Sequence, residues 1–139
     1  MNVHDFDDVE LPEGDLLTGI FEKQHELMAE YEPIESERGF ITVPENQYGD
    51  LDNRFVQYRI KDVNARAVEE LYEAMNCLKN KPWKQSEVKT DEVHFYEEIA
   101  DAVHFFVEMC ITAGLTAQDL ALMYHKKHAV NKFRQASKY

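Results

Sequence analysis

Two short acidic segments hold the residues of this chain best suited to chemistry. "EELYE" carries Glu69, Glu70 and Glu73, and "EEIAD" carries Glu97, Glu98 and Asp101. Residues three apart share a helix face, so Glu70 pairs with Glu73 and Glu98 with Asp101. If the two helices pack antiparallel through a short connection, both pairs point into one gap. Four hard oxygen donors there suit Mg²⁺, with Mn²⁺ as a substitute. Glutamate pairs on helices are more often solvated faces. The second segment argues against that reading. It lies in "HFYEEIADAVHFFVEMCITAG", residues 94–114, where Phe95, Ile99, Ala102, Phe106, Met109 and Ala113 form one stripe and Val103, Phe105 and Cys110 fill much of the rest. Asp101 has apolar positions on every side, and a carboxylate taken out of water is costly unless it is paired, protonated or bound to metal.

Other chemistries are poorly served. The five glycines are scattered, so no phosphate-cradling loop is present, and no Ser or Cys sits in a nucleophile motif. No Cys and His cluster has zinc spacing. With 15 Lys and Arg against 27 Asp and Glu, the formal charge of −12 argues against a nucleic-acid partner. The start is acidic where a leader would be basic then apolar, and no segment has the ~18 uncharged apolar residues of a membrane span. A cytoplasmic protein with no membrane partner is expected, its cysteines Cys77 and Cys110 reduced and buried mid-helix. Charge is uneven: residues 1–37 hold twelve acids and one base, and residues 126–139 hold five bases and no acid. Such a basic tail neutralises the chain or meets a small anionic ligand.

The elements that must position these residues are helical. Residues 1–14 read as a loose acidic arm and 15–139 as one all-α domain. A first helix is expected from Asp15 to Glu32, stopped by Pro33. Residues 33–52 read as a long loop with a short extended piece at Phe40 to Val43. A second helix runs from near Asn53 to about Asn80, with room for a break, and "KPWKQSEVKTDE" connects it to the third, which Gly114 ends. Thr116 caps a fourth helix, with Asp119 completing a capping box. The fold class is all-α, a bundle of about four main helices completed by oligomerisation.

The EExxE segment at 69–73 followed by the ExxD segment at 98–101 resembles the signature of the all-α nucleoside triphosphate pyrophosphatases, the superfamily of MazG-like enzymes, dimeric dUTPases and phage dCTPase-dUTPases. The end of the chain, "LTAQDLALMYHKKHAVNKFRQASKY", is similar to the end of the phage enzymes, matching at Tyr124, Lys127, Asn131, Arg134, Gln135 and Tyr139. Gln24 in "FEKQHELM" falls where those enzymes carry a base-reading glutamine. The likeness spans about residues 16–139. It implies that Glu70, Glu73, Glu98 and Asp101 hold two or three Mg²⁺, with Glu69 or Glu97 as auxiliary acid or base. It further implies Lys127 and Arg134 on phosphates with Asn131 and Tyr139 alongside, and Gln24, His104 and Phe105 at the base. The implied reaction cleaves a nucleoside triphosphate to monophosphate and pyrophosphate, in a homodimer or homotetramer whose site draws on more than one protomer. The chain departs at Met28, His128 and Lys138, where relatives place Asn, Asn and Gly. The base therefore leans to a pyrimidine, as in dUTP or dCTP, with a purine such as dGTP as the alternative.

Two readings from other classes compete. Carboxylate-bridged di-iron bundles use Glu-x-x-His, and Glu22 with His25 and Asp101 with His104 approximate it. A non-catalytic helical adaptor would leave the acidic pairs on an exposed face. Trp83, the single tryptophan, reads as a clamp on the connection, and Asn76 and Asn80 as sugar or phosphate contacts or as the end of the helix.

Overall fold

The structure is a computed structural model that describes residues 3–11 and 13–138. It is all-α: after a short 3-10 turn at Val3–Phe6 come α1 (Leu16–Glu37), a 3-10 turn at Glu45–Gln47, α2 (Arg54–Asn76), α3 (Glu92–Thr112) and α4 (Ala117–Ala136). Each of the four helices starts on an expected type of capping residue. Asp15 accepts from Leu17 N and Thr18 N, Asn53 from Phe55 N and Val56 N, and Asp91 from His94 N. Thr116 and Asp119 exchange side-chain bonds of 3.1 and 3.0 Å with each other's amides, the reciprocal capping box.

Pro33 does not stop α1; it lies inside the helix, which continues to Glu37. A proline forfeits one backbone bond there, but the extra turn carries Glu35 to Arg59 and Arg66. The stop comes instead at Gly39, whose φ of +87° suits glycine. Gly39 N reaches Ser36 O and Phe40 N reaches Glu35 O, both at 3.0 Å, which closes a Schellman turn. The extended piece expected at Phe40 to Val43 is no strand: no partner strand exists among the described residues to pair with it. Val43 is buried and anchors the segment by its side chain.

α2 is unbroken and ends at Asn76, short of the expected Asn80. Cys77 caps it and is half-buried, not a mid-helix core residue; only Cys110 is buried, and both are free thiols. α2 and α3 form the main pair. Arg59 meets Glu108 at one end and Glu70 meets Glu98 near the connection, so the two helices run antiparallel. Val56, Val63, Ala67 and Ala74 make the buried stripe of α2. α1 crosses α3, placing Phe21 against Val107 and Cys110, with Leu17, Ile111 and Leu120 around them.

Gly114 ends α3 at φ +83°, and a Cβ there would sit 2.7 Å from the Gly49 Cα. The two glycines thus pack backbone on backbone, and Gly49 N donates to Thr112 O at 3.0 Å. α4 then turns away from α3 by 99°. Its first turn docks on α1, where Gln118 Nε2 donates to Thr18 Oγ1 at 3.2 Å. Ala117 is its one buried residue; Leu122, Met123, Tyr124, Val130 and Phe133 stand exposed. α3 is not enclosed on all sides either, since Ile99, Val103 and Phe106 each keep about 40% of their surface exposed. Among the described residues no single helix is long and apolar enough to cross a membrane.

Candidate metal centre

The antiparallel α2–α3 pairing brings the acidic segments together. Glu70, Glu73 and Glu98 offer carboxylate oxygens that all lie within 4.8 Å of one another. Glu98 is 8% exposed. His94, one turn before it on α3, holds its Oε1 through Nε2 at 2.7 Å, and its buried Oε2 has no hydrogen-bond partner. Burial raises the Glu70 carboxyl, a hydrogen bond to Glu98 and the charges of Glu73 and Asp101 raise it further, and it reaches about 7. Burial also works to raise Glu98, but hydrogen bonds from Glu70 and His94 outweigh it and hold Glu98 below the ordinary range. One proton shared between two close carboxyls produces this opposed pair. A divalent cation would replace that proton, and an all-oxygen donor set fits Mg²⁺ or Mn²⁺.

Asp101 stands apart from the tight trio. It is close enough to raise Glu70, yet its side chain is exposed in the single chain, so the expectation that apolar neighbours surround it does not hold. Apolar residues do flank it in sequence, but Ile99 and Val103 are themselves exposed. Glu69 is exposed and Glu97 half-buried, and neither belongs to the trio.

Two hollows adjoin this group. One, of about 190 Å³, is lined by Gln24, Tyr31, Asp101, His104, Phe105 and Glu108. It gathers the three residues expected at a base together with one expected metal ligand. Gln24 is 3% exposed; its Nε2 donates to Glu108 Oε2 at 3.4 Å, and its Oε1 is buried without a partner. The second, of about 340 Å³, opens beside Glu73, Asn76, His94 and Glu98. The phosphate set is not gathered within one chain. Lys127 and Asn131 lie exposed on the outer length of α4 and Arg134 is half-buried there, while Tyr139 falls outside the described residues. The di-iron pairs are not assembled: His25 bonds Glu45, and His104 Nδ1 bonds the Ala100 carbonyl of its own helix at 2.8 Å.

A buried charged network escaped the sequence reading. Arg59, 1% exposed, donates through Nη2 to Glu35 at 2.7 Å and Glu108 at 3.3 Å, and Arg66 bridges Glu35 and Asp62 at 2.5 and 2.8 Å. Burial pushes Glu108 up against the opposing pull of Arg59. Burial also works to raise Glu35, but its two arginine bonds win and hold it low. The signal was available: Arg59 falls in the α2 stripe between Val56 and Val63, where a charge must be matched. The network ties α1, α2 and α3 into one rigid frame behind the smaller hollow.

Neither protein-family models nor characterised proteins nor solved structures give a match to this chain.

Proposed function

We propose that this protein is a Mg²⁺-dependent nucleoside triphosphate pyrophosphohydrolase that converts a (deoxy)nucleoside triphosphate to monophosphate and pyrophosphate. The observation that carries the reading is the trio Glu70, Glu73 and Glu98, gathered from consecutive helices around an unpartnered buried oxygen. Such a charge-dense, acidic chain can hold a polyphosphate only if divalent ions reverse the local sign. Mg²⁺, when bound, supplies an activated water and stabilises charge developing on the phosphate oxygens. His94 fixes the orientation of Glu98 so that its second oxygen is presented. Gln24, Phe105 and His104 wall the hollow next to Asp101 and would seat the base, a pyrimidine by the resemblance of the sequence.

Assembly belongs to the proposal. A compact monomer of this mass exposes roughly 7,500 Å², whereas this chain exposes 11102 Å². The excess is larger than the share one partner of a typical obligate dimer buries, and the bare apolar faces of α3 and α4 are part of it. A second or fourth copy covering them would also carry the basic α4 of one protomer toward the carboxylates of another.

The test is a panel of common NTPs and dNTPs with Mg²⁺, reading pyrophosphate and monophosphate together. Equimolar release of both from one base class supports the proposal. Release of inorganic phosphate alone, or no turnover of any member, sinks it. The di-iron alternative gains nothing from the geometry, since the gathered ligands are carboxylates and the Glu22–His25 pair lies away from them.

A further inference from the structure

We propose that the apolar groove between α1 and α3, together with the acidic N-terminal arm beside it, is the seat for α4 of a second copy of this chain. Such docking rests on the proposed assembly, to which it gives contact surfaces, and is independent of the carboxylate trio. The groove has a volume of about 450 Å³. Leu16 and Ile20 of α1, Val103 of α3 and Leu11 of the arm line it, and all four are exposed. Gly19 and Ala100, also in its lining, bring little bulk between the two helices. No residue of α4 lines the groove of its own chain, since α4 turns from α3 by 99°.

α4 carries the complementary surface. Leu122, Val130 and Phe133 recur at helical spacing on one face, with Met123 at its edge, and all are exposed. From Ala121 to Ala136 the helix holds Lys126, Lys127, Lys132 and Arg134 and no acid. The arm reverses this pattern: residues 3–11 hold Asp5, Asp7, Asp8 and Glu10 and no Lys or Arg. Each chain thus exposes two apolar surfaces with charge of opposite sign beside them. Reciprocal docking matches both pairs at once in a closed two-fold dimer. The chain exposes 11102 Å² where a compact monomer of its mass exposes roughly 7,500 Å², so each copy has surface enough to bury in a stable dimer. A formal charge of −12 sets like copies against each other at long range, but screening cuts that repulsion off beyond about 8 Å at physiological ionic strength. Within that distance the local patches decide, and arm against α4 is the attractive pairing.

The experiment is a charge exchange on the full chain, read by sedimentation equilibrium. One variant carries Lys126→Glu with Lys132→Glu, and the other carries Asp8→Lys with Glu10→Lys. All four positions are exposed, and circular dichroism checks that each variant folds. Each variant alone sets like charges together and is expected to weaken self-association by about tenfold. Mixing the two variants restores association, because in the mixed pair each arm meets an α4 of opposite sign. Ile20→Asp puts a charge on the groove wall and is expected to weaken association as well. The wild type needs no variant to be tested: its association should weaken as salt rises from about 0.05 to about 0.5 M. A monomeric wild type at micromolar concentration overturns the inference, as does association that salt, Ile20→Asp or both charge variants leave unchanged. A mixture no more associated than its components overturns it too, since α4 would then pair with its own arm or with another surface. Association that follows the charge exchange without any nucleotide turnover would overturn the proposed function and leave this inference standing.

Discussion

At the scale of single residues, the folded chain keeps one proton among its closest carboxyls. An unfolded Glu70 titrates near 4.5 and the folded one at about 7. Between those values the native state binds more protons than the unfolded state, so this group's contribution to stability falls as pH rises. Glu98, held low, pulls the opposite way at lower pH. Glu70→Gln mimics the protonated form and is expected to raise the metal-free melting temperature above about pH 7 and hardly at all near pH 5. The same variant should lose the melting-temperature gain that Mg²⁺ gives the wild type. That gain itself should grow from pH 6 to pH 8 as the competing proton leaves. Thermal melts of both proteins with and without Mg²⁺ check all three outcomes, and a gain independent of pH would show that no proton competes. Arg59 makes a second residue-scale case. Arg59→Leu strands Glu108 in the interior and leaves Glu35 to Arg66 alone, and should cost about 3–5 kcal/mol at neutral pH. The deficit should shrink near pH 5, because burial already raises Glu108 toward its protonated form. Urea titrations at the two pH values measure it.

At the scale of elements, the end of α3 far from the trio is set by a close glycine contact and by the loop that precedes α2. The Gly49–Gly114 contact fixes that end, and the buried Val43 side chain holds the loop inward. Gly114→Ala meets two penalties: a left-handed backbone costing roughly 1–2 kcal/mol and a Cβ 2.7 Å from another backbone. The expected result is a protein destabilised by more than the first penalty alone, with faster hydrogen exchange at the Gly49 amide. An alanine variant of Gly39, which has open space around it, should show only the backbone penalty. Equal losses at the two glycines would deny the close approach its role. Element boundaries also show the competition between local signal and packing. Pro33 marks a local stop, but the ion pairs of Glu35 reward continuing, and the helix yields only at Gly39.

At the scale of the whole molecule, the chain leaves much of its apolar surface unburied. Projecting α4 leaves Leu122, Val130 and Phe133 in water, and α3 leaves Ile99, Val103 and Phe106 there. Light scattering at micromolar concentration is expected to report a dimer or tetramer, and Phe133→Asp with Leu122→Asp should shift it to monomer with loss of turnover. A monomeric wild type with full activity would separate the two ideas, leaving the metal centre and removing shared sites.

Much of this was legible in the primary chain. Helical periodicity and the caps at Asp15, Asn53 and Thr116 determined an all-α protein, because hydrogen bonds within a few residues are encoded locally. The i, i+3 acids determined that each helix carries a paired face, for the same reason. Only the tertiary structure decided which acids meet. The antiparallel register of α2 on α3 puts Glu98 within reach of Glu70 and Glu73 and leaves Asp101 at the edge. It also joins Arg59 to Glu108, and the packing of α1 adds Glu35. Those contacts span from about two dozen to nearly fifty positions, and a charge has no preference for one distant partner over another until packing has closed the distance.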